Sequence, residues 1–397
     1  MTTAPRLALG TTLAIIVGAC SSLPADTGSS SDASTSSSSG WHPPSQSASS
    51  SASGSGGMAS SSGSGGWGGS TGTTSSSGSG GSGGMAPCTA TVPGPPGPAS
   101  YPFTLGGQAA WSHDDGFPGG FFHTYDGLQV AGPSDAPRKV HVFLPRDYDP
   151  CGPRYPVVYF NDGNTTFWPG GIGNKTWDVA DALGELWAGD AVPALIAVAI
   201  EPINREREYT HAPWADGHDC CGVEEYTGYV ADHVKAFIDQ NYHTRTDAPS
   251  TAIIGSSHGG LAAFYMANRR PDVFGKAGCL SPSFWAGLDP VHGGTFPGGP
   301  LATSPLVQTL KATLESTATR PRVWIDWGLV RDGQFHNSVI EAAATTRGKE
   351  MVGLLQGTYG YVEDQDLFWA EDPLGEHDEI SWGRRFPDVM KALFGPM

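Results

Sequence analysis

Residues 251–260, TAIIGSSHGG, decide the fold of this chain. The first five are apolar, small or β-branched, which is typical of a buried strand, and a helical pattern follows at 261–269. Between them lies a G-x-S-x-G sequence, whose small residues permit a sharp strand-to-helix turn. Such a turn lifts a serine hydroxyl above the carboxyl end of the sheet. We therefore predict that Ser257 is a nucleophile and that the His258 backbone N–H, at the start of the helix, binds an oxyanion.

Short apolar strands alternate with helical patterns on both sides of this turn. Strands are predicted at 139–145, 156–160, 194–200, 251–255 and 322–328. Helices are predicted at 178–188, 226–238, 261–269 and 380–394. The alternation indicates an α/β fold with a mostly parallel central sheet and helices on both faces.

The N-terminal residues predict export rather than core. Arg6 precedes an apolar run at 7–17, which is too short to span a bilayer, and small residues lead to Cys20. We expect residues 1–19 to be a lipoprotein signal peptide, Cys20 to be lipidated, and the protein to be anchored in the cell envelope, at the outer membrane. Residues 20–87 are rich in Ser and Gly, so they cannot bury a core and are predicted to be a disordered tether.

The remaining residues, 88–397, are long enough for one large α/β domain. The whole chain has 22 Lys and Arg against 39 Asp and Glu, a net charge of −17. Binding to nucleic acid requires concentrated positive charge. The acidic balance therefore argues against a nucleic-acid partner.

A serine hydroxyl needs a histidine to accept its proton, and in sheets of this type an acid and then the histidine follow the serine along the chain. Of the later histidines, His377 precedes the last predicted helix and can reach the carboxyl end of the sheet. His292 is expected to face solvent in a loop rich in Gly and Pro. For the acid, Asp332 follows the 322–328 strand and is favoured, and Asp326 within that strand is the alternative.

Three segments resemble the Putative esterase family, which includes enterochelin, feruloyl and acetyl-xylan esterases. They are RYPVVYFNDG at 154–163, the 255–260 turn, and Gly-Glu-His-Asp at 375–378 with Trp382. The resemblance covers nearly all of 120–397. It implies an α/β-hydrolase fold, a triad of Ser257, Asp332 and His377, and a second oxyanion donor in the backbone N–H groups of Gly163 and Asn164.

Five cysteines follow Cys20, and an exported chain is expected to oxidise them in pairs. Cys279 lies in an apolar segment and is expected to be a buried free thiol, while Cys88 is a candidate partner of Cys151. Cys220 and Cys221 are expected to form a vicinal disulfide or to pair elsewhere. Nearby Asp and His residues also suggest zinc, but the cysteines lack the two-residue gap of a zinc knuckle, so no metal site is predicted.

The sequence therefore predicts a serine carboxylic-ester hydrolase without a metal or organic cofactor. Expected substrates are siderophore, feruloyl or acetyl-carbohydrate esters, with the membrane contacted through the lipid anchor alone. An acyltransferase to a carbohydrate hydroxyl and an inactive binding protein are the alternatives. The loops at 201–223 are expected to shape the pocket. Several aromatic residues fit either a substrate site or the core: Phe167, Trp168, Trp177, Trp214 and Trp285.

Overall fold

The computed structural model describes residues 92–132, 135–171 and 173–396. The predicted signal peptide, the tether, Cys20 and Cys88 lie outside these residues. Within the described part, no helix is both long enough and apolar enough to cross a membrane.

A single mixed sheet runs through the described residues. Its strands are β1 (Tyr101–Leu105), β2 (Gln108–His113), β3 (Gly120–Leu128), β4 (Arg138–Pro145), β5 (Val157–Phe160), β6 (Ile196–Ile200), β7 (Thr251–Ser256), β8 (Lys276–Leu280), β9 (Arg322–Gly328) and β10 (Leu367–Asp372). Their spatial order is β1-β2-β3-β4-β6-β5-β7-β8-β9-β10. The pairs among β1 to β4 and the β4–β6 pair are antiparallel, and the remaining pairs are parallel.

Helices cover both faces of this sheet. They are α1 (Gly163–Thr166), α2 (Val179–Ala188), α3 (Arg205–Tyr209), α4 (Val223–Gly228), α5 (Lys235–Asn241), α6 (His258–Arg269), α7 (Pro305–Leu314), α8 (Glu341–Gly357) and α9 (Glu379–Phe394). A π-helical segment, Tyr229–Val234, joins α4 to α5, and another, His336–Ile340, leads into α8.

The α/β fold with a mostly parallel sheet, predicted from the sequence, is confirmed. The five predicted strands are β4, β5, β6, β7 and β9, and the predicted helices are α2, α4 with α5, α6 and α9, each with ends within three residues. The prediction missed the antiparallel strands β1 to β3 and the strand β10, and of β8 it recognised only an apolar segment around Cys279.

The core lies on both faces of the sheet. On β6, Ile196, Val198 and Ile200 pack into one buried cluster, whereas Ala197 and Ala199 pack into the other. A strand buried on both faces reads as a continuous apolar run, and the sequence of β6 is such a run. The small alanines leave room for helices α2 and α9, whose apolar side chains fill the second cluster.

The parallel strands bring distant loops to one edge of the sheet. The loops after β5, β7, β8 and β9 all leave from the carboxyl ends of neighbouring strands. In open α/β sheets this edge is where ligands bind. The residues predicted to be functional, Ser257 and Gly163, follow β7 and β5 there.

Candidate active site

Ser257 occupies the turn between β7 and α6. Its backbone has φ 53° and ψ −121°, a conformation that non-glycine residues seldom adopt. The turn is so tight that a Cβ on Gly255 would lie 2.3 Å from the carbonyl oxygen of Gly259. The backbone N–H of Ser257 donates to the carbonyl of Leu280 at the end of β8 (2.9 Å). The sheet thus holds the serine at its carboxyl edge, as the sequence predicted for a G-x-S-x-G turn.

His377 reaches Ser257 from the loop between β10 and α9. Its Nε2 lies 3.0 Å from the Ser257 Oγ, and both side chains are buried. The backbone N–H of His377 donates to the Asn337 side-chain oxygen (2.9 Å), and the Trp382 ring meets the imidazole edge to face at 5.1 Å. These contacts fix both the loop and the plane of the ring. The structure therefore brings together Ser257 and His377, as the sequence predicted.

The carboxylate beside His377 is Glu341, the first residue of α8. Its Oε2 accepts a short hydrogen bond from the His377 Nδ1, and its Oε1 accepts from the Ser281 hydroxyl (2.9 Å) and the Gly328 N–H. The side chain is fully buried. Burial alone would raise the pKa of Glu341, but the hydrogen bond and electrostatic interaction with His377 and the hydrogen bond from the Gly328 N–H outweigh burial and hold that pKa below its usual value.

The prediction that Asp332 is the partner of His377 is wrong. Asp332 is exposed, and its carboxylate accepts from the Gln334 N–H (2.9 Å) and from the Asn337 side-chain amide (3.1 Å). Toward the histidine, Asp332 thus reaches only Asn337, the side chain that binds the His377 backbone, and the chain then continues through the π-helical segment into α8. The first carboxylate that reaches the imidazole is therefore that of Glu341, nine positions further along the chain.

The alternative acid, Asp326, is a structural carboxylate in β9. It is fully buried and pairs with Arg385 of α9 at 2.9 Å. It also accepts from the Ser281 N–H (3.1 Å) and the Trp324 indole N–H (2.9 Å). Because Ser281 also contacts Glu341, Asp326 supports the residue that holds the acid and does not contact the histidine itself.

The loop after β5 approaches Ser257 from the other side. Asp162 adopts a left-handed conformation (φ 60°), and Arg205 holds its carboxylate through two hydrogen bonds of 2.6 and 2.9 Å. A Cβ on Gly163 would lie 2.6 Å from the backbone of Ile200, so only glycine fits there. The Asn161 amide donates to the carbonyl of Gly259 (2.9 Å), which ties this loop to the serine turn.

The backbone N–H groups predicted to bind an oxyanion are free to do so. Gly163 and Asn164 open α1, and His258 opens α6, so none of the three N–H groups has an acceptor within its own helix. No hydrogen bond from these N–H groups to any other described residue is found. Asn164 and His258 also line the cavity above Ser257. The cavity is therefore lined by two residues, Asn164 and His258, whose backbone N–H groups have no acceptor among the described residues.

The cavity above Ser257 has a volume of about 790 Å³. Its polar and aromatic lining residues include His258, Trp214, Trp285, His292, His336 and Arg205. The segment at 201–223 contributes Pro202, Ile203 and Trp214, in line with its predicted role. Of the aromatic residues that fitted either a site or the core, Trp214 and Trp285 line this cavity, whereas Phe167 and Trp177 are buried in the second core cluster.

The sequence did not place two histidine rings, those of His292 and His258, in the cavity. His292 was expected to face solvent, but it is half-buried, lines the cavity and meets the Trp214 ring edge to face at 4.8 Å. The His258 ring also lines the cavity, and its Nδ1 lies 3.0 Å from the Ser283 Oγ. Both contacts depend on loops that meet only in the folded chain, so sequence spacing gives no sign of them.

Cys220 and Cys221 form a vicinal disulfide. Cys151 is also disulfide-bonded, and its candidate partner Cys88 lies outside the described residues. Cys279 is a buried free thiol, as predicted, and burial raises its pKa. Within residues 92–396, apart from the three positions left undescribed there, no group of three or more His, Cys, Asp or Glu side chains is arranged to hold a metal ion.

Several curated proteins are similar to this chain. The Bacillus subtilis protein YbbA, which is uncharacterized, is 28% identical over 155 residues, 37% of this chain and 58% of YbbA. The siderophore enterobactin esterase of Emericella nidulans is 26% identical over 175 residues, 40% of this chain and 57% of that protein. An endo-1,4-beta-xylanase/feruloyl esterase of Xylanibacter ruminicola is 28% identical over 148 residues, 36% of this chain and 19% of that protein.

The chain thus spans less than two thirds of the length of each of these relatives. The family model described as Putative esterase matches a longer region, residues 134–393. That region includes β5, the serine turn, Glu341 and His377, and it covers well over half of the chain. The chain belongs to the Putative esterase family.

Proposed function

We propose that this protein is a carboxylic-ester hydrolase that forms an acyl-enzyme on Ser257. The observation that carries the proposal is the hydrogen-bonded series from Ser257 Oγ to His377 Nε2 (3.0 Å) and from His377 Nδ1 to Glu341, at the floor of a cavity. A serine becomes a nucleophile at neutral pH when a histidine can take its proton, and the histidine needs an acid that fixes its tautomer. The proposed triad is Ser257, His377 and Glu341.

The reaction begins when the Ser257 Oγ attacks the ester carbonyl while His377 Nε2 takes the hydroxyl proton. The carbonyl oxygen becomes an oxyanion, which accepts hydrogen bonds from the N–H groups of His258 and of Gly163 or Asn164. His377 then gives its proton to the leaving alcohol as the C–O bond breaks, which leaves an acyl group on Ser257. Water attacks this acyl group while His377 takes its proton, and His377 then returns the proton to the Ser257 Oγ as the bond to the acyl carbon breaks and the carboxylic acid leaves.

Glu341 holds the His377 Nδ1–H toward itself and stabilises the imidazolium that forms in each step. Because Glu341 already accepts from Ser281 and Gly328, its negative charge is preserved in a buried position. A second hydroxyl, that of Ser283, lies 3.3 Å from the Ser257 Oγ. Every step in this sequence uses groups of the chain and a water molecule.

For the substrate, we propose a siderophore, feruloyl or acetyl-carbohydrate ester. The names of two relatives, an enterobactin esterase and a feruloyl esterase, support the first two classes. The aromatic walls of the cavity, Trp214 and Trp285, suit a planar ring or the apolar face of a sugar. We further propose that lipidation at Cys20 anchors the protein in the envelope and that residues 20–87 tether the enzyme to it.

Labelling with a fluorophosphonate tests the triad directly, since such a probe bonds to an activated serine. We expect the purified protein to be labelled and Ser257→Ala to lose the label. Ser256→Ala is the matched control, because Ser256 is the adjacent buried serine and has no contact with His377. The proposal would be abandoned if Ser257→Ala kept the label, or if the folded wild type neither took up the probe nor hydrolysed short aryl esters.

A further inference from the structure

A second pair of hydroxyl and imidazole lies beside the nucleophile. Ser283, in the turn after β8, is fully buried, and its Oγ lies 3.3 Å from the Ser257 Oγ and 3.0 Å from the His258 Nδ1. His258 is the residue that follows the nucleophile, and its backbone N–H is already a proposed oxyanion donor. Its ring packs edge to face against Trp214 at 4.8 Å and meets Trp285 at 5.5 Å. The imidazole is therefore held in one orientation.

The contacts fix which ring nitrogen carries the proton. Burial, followed by the charge of Arg205, lowers the pKa of His258 well below its usual value, so the ring is neutral and has one N–H. In the productive triad, Ser257 donates its proton to His377. Because the Ser257 proton points to His377, Ser283 must be the donor in the hydrogen bond between the two serines. The Ser283 oxygen in turn accepts from the His258 Nδ1–H.

This direction leaves the His258 Nε2 without a proton, as a hydrogen-bond acceptor. That atom is buried and has no hydrogen-bond partner among the described residues, although His258 lines the cavity. Two other cavity residues present unpartnered buried atoms, the acceptor Asn164 Oδ1 and the donor Trp285 Nε1. Buried polar atoms in folded proteins nearly always have partners, so a ligand in this cavity is one source of partners for these three atoms.

We propose that His258 is a specificity-determining residue whose Nε2 accepts a hydrogen bond from a substrate hydroxyl close to the ester bond. The inference rests on the proposed hydrolase function. The imidazole is joined to the Ser257 Oγ through the Ser283 hydroxyl alone and lines the same cavity, and we therefore place the hydroxyl that it binds near the ester bond. Two kinds of ester share this chemistry: esters of hydroxy acids, and polyols that are acylated at one hydroxyl and free at the next.

Matched pairs of esters separate the two kinds. On the acyl side, phenyl 3-hydroxybutyrate is compared with phenyl butyrate. On the alcohol side, 2-hydroxyethyl butyrate is compared with propyl butyrate. Each kcat/KM, followed by pH-stat titration, is divided by the rate of alkaline hydrolysis of the same ester, which removes the intrinsic difference in reactivity.

We expect wild type to prefer the hydroxylated ester by about tenfold in one of the two pairs, since a site that binds a hydroxyl loses a hydrogen bond with the analogue that lacks it. The pair that shows the preference identifies the side of the ester. In His258→Phe, which keeps a planar ring, this ratio is expected to fall to within about twofold of one. His336→Phe is the matched control, because it removes another imidazole of the cavity and should leave the ratio as in wild type.

The tautomer gives a readout that is independent of rate. In ¹⁵N NMR spectra the His258 Nε2 is expected to appear unprotonated, and in Ser283→Ala the proton should be shared between both nitrogens because the acceptor for Nδ1–H is gone. The proposal is overturned by a protonated Nε2 in wild type, by equal turnover within both ester pairs, or by a preference that His258→Phe retains or that His336→Phe loses equally. Failure of the hydrolase function looks different, because none of the four esters is then cleaved and no fluorophosphonate label is taken up.

Discussion

Neutralising Glu341 distinguishes the proposed triad from the one that the sequence suggested. In Glu341→Gln the amide must satisfy the Gly328 N–H, which can only donate, so its oxygen is directed there. The amide NH₂ then faces His377 Nδ1, where the carboxylate stood, and two N–H groups cannot point at each other. His377 is forced to carry its proton on Nε2, the atom that must accept the Ser257 proton.

We expect kcat of Glu341→Gln to fall by about 10⁴, the size of effect known for a triad acid replaced by its amide, which corresponds to about 5 kcal/mol in the barrier. The assay is hydrolysis of a short-chain aryl ester, with thermal unfolding to confirm that each variant is folded. Asp332→Asn is the matched control, since Asp332 is exposed and does not contact His377. It should retain wild-type kcat within about threefold, as surface changes usually do.

The reasoning would be refuted if Glu341→Gln kept more than about a tenth of the wild-type rate, because a loss that small is below what removal of a triad acid causes. It would also be refuted if Asp332→Asn lost as much activity as Glu341→Gln. Either result would mean that the carboxylate in contact with His377 is not the acid that orients it.

Three further predictions concern stability. The pKa of Glu341 is lower in the folded than in the unfolded protein, so the charged carboxylate stabilises the fold. This stabilisation is complete above the unfolded pKa of about 4.5 and is lost as the pH falls through the lower folded pKa. In urea titrations from pH 6 to pH 3, Glu341→Gln should therefore lose less stability than wild type. Arg385→Met leaves the buried Asp326 carboxylate without its cation and should reduce the free energy of unfolding by about 3–5 kcal/mol. Adding Asp326→Asn to this variant should recover part of the loss. If urea titrations showed that the losses of the two substitutions add, the prediction would be contradicted. Gly255→Ala should prevent soluble expression, because the added Cβ would overlap the Gly259 carbonyl. Gly353→Ala in α8 is the contrasting variant, since its Cβ would meet nothing within 4 Å. It should raise the midpoint of unfolding, because alanine is a better helix former than glycine.

The position of the proposed nucleophile, Ser257, in a strand-to-helix turn could be predicted from sequence because its geometry is local. The conformation of Ser257 is imposed by its immediate neighbours, where a Cβ on Gly255 would overlap the Gly259 carbonyl. An apolar strand before the turn and a helical pattern after it complete the signal. His377 is likewise marked by its place just before the last helix, at the edge that the parallel strands create.

The acid could not be predicted in the same way, because its position depends on the path of a loop. Counting residues beyond β9 favoured Asp332, but the chain places that carboxylate in solvent and returns through the π-helical segment His336–Ile340. Nothing in the sequence around Glu341 marks it as a buried carboxylate, since it begins a helix that contains many polar residues.

The antiparallel strands β1 to β3 were missed for a different reason. Several side chains on them are polar, and a sequence such as that of β3 gains its buried character only from neighbours on both faces. His123 is buried there and bonds to Tyr242 (3.2 Å), far along the chain, and Thr124 is buried and bonds to His141 (3.0 Å) on the neighbouring strand β4. A search for apolar periodicity cannot detect a strand whose buried polar side chains find their hydrogen-bond partners through tertiary contacts.

Ser281 explains how the fold keeps the charge of Glu341, the proposed triad acid, in a buried position. Its hydroxyl donates to Glu341 and accepts from Arg385 (2.9 Å) and from the Trp382 indole N–H (3.2 Å). Arg385 in turn pairs with Asp326. An isolated buried carboxylate would take up a proton, because charge is costly away from water. Here the cation of α9 acts on Glu341 through one hydroxyl, and the indole that donates to that hydroxyl is the one packed against His377. The elements that hold the charge of the acid are thus the same elements that orient the base, so activity and the stability of this part of the core depend on one set of contacts.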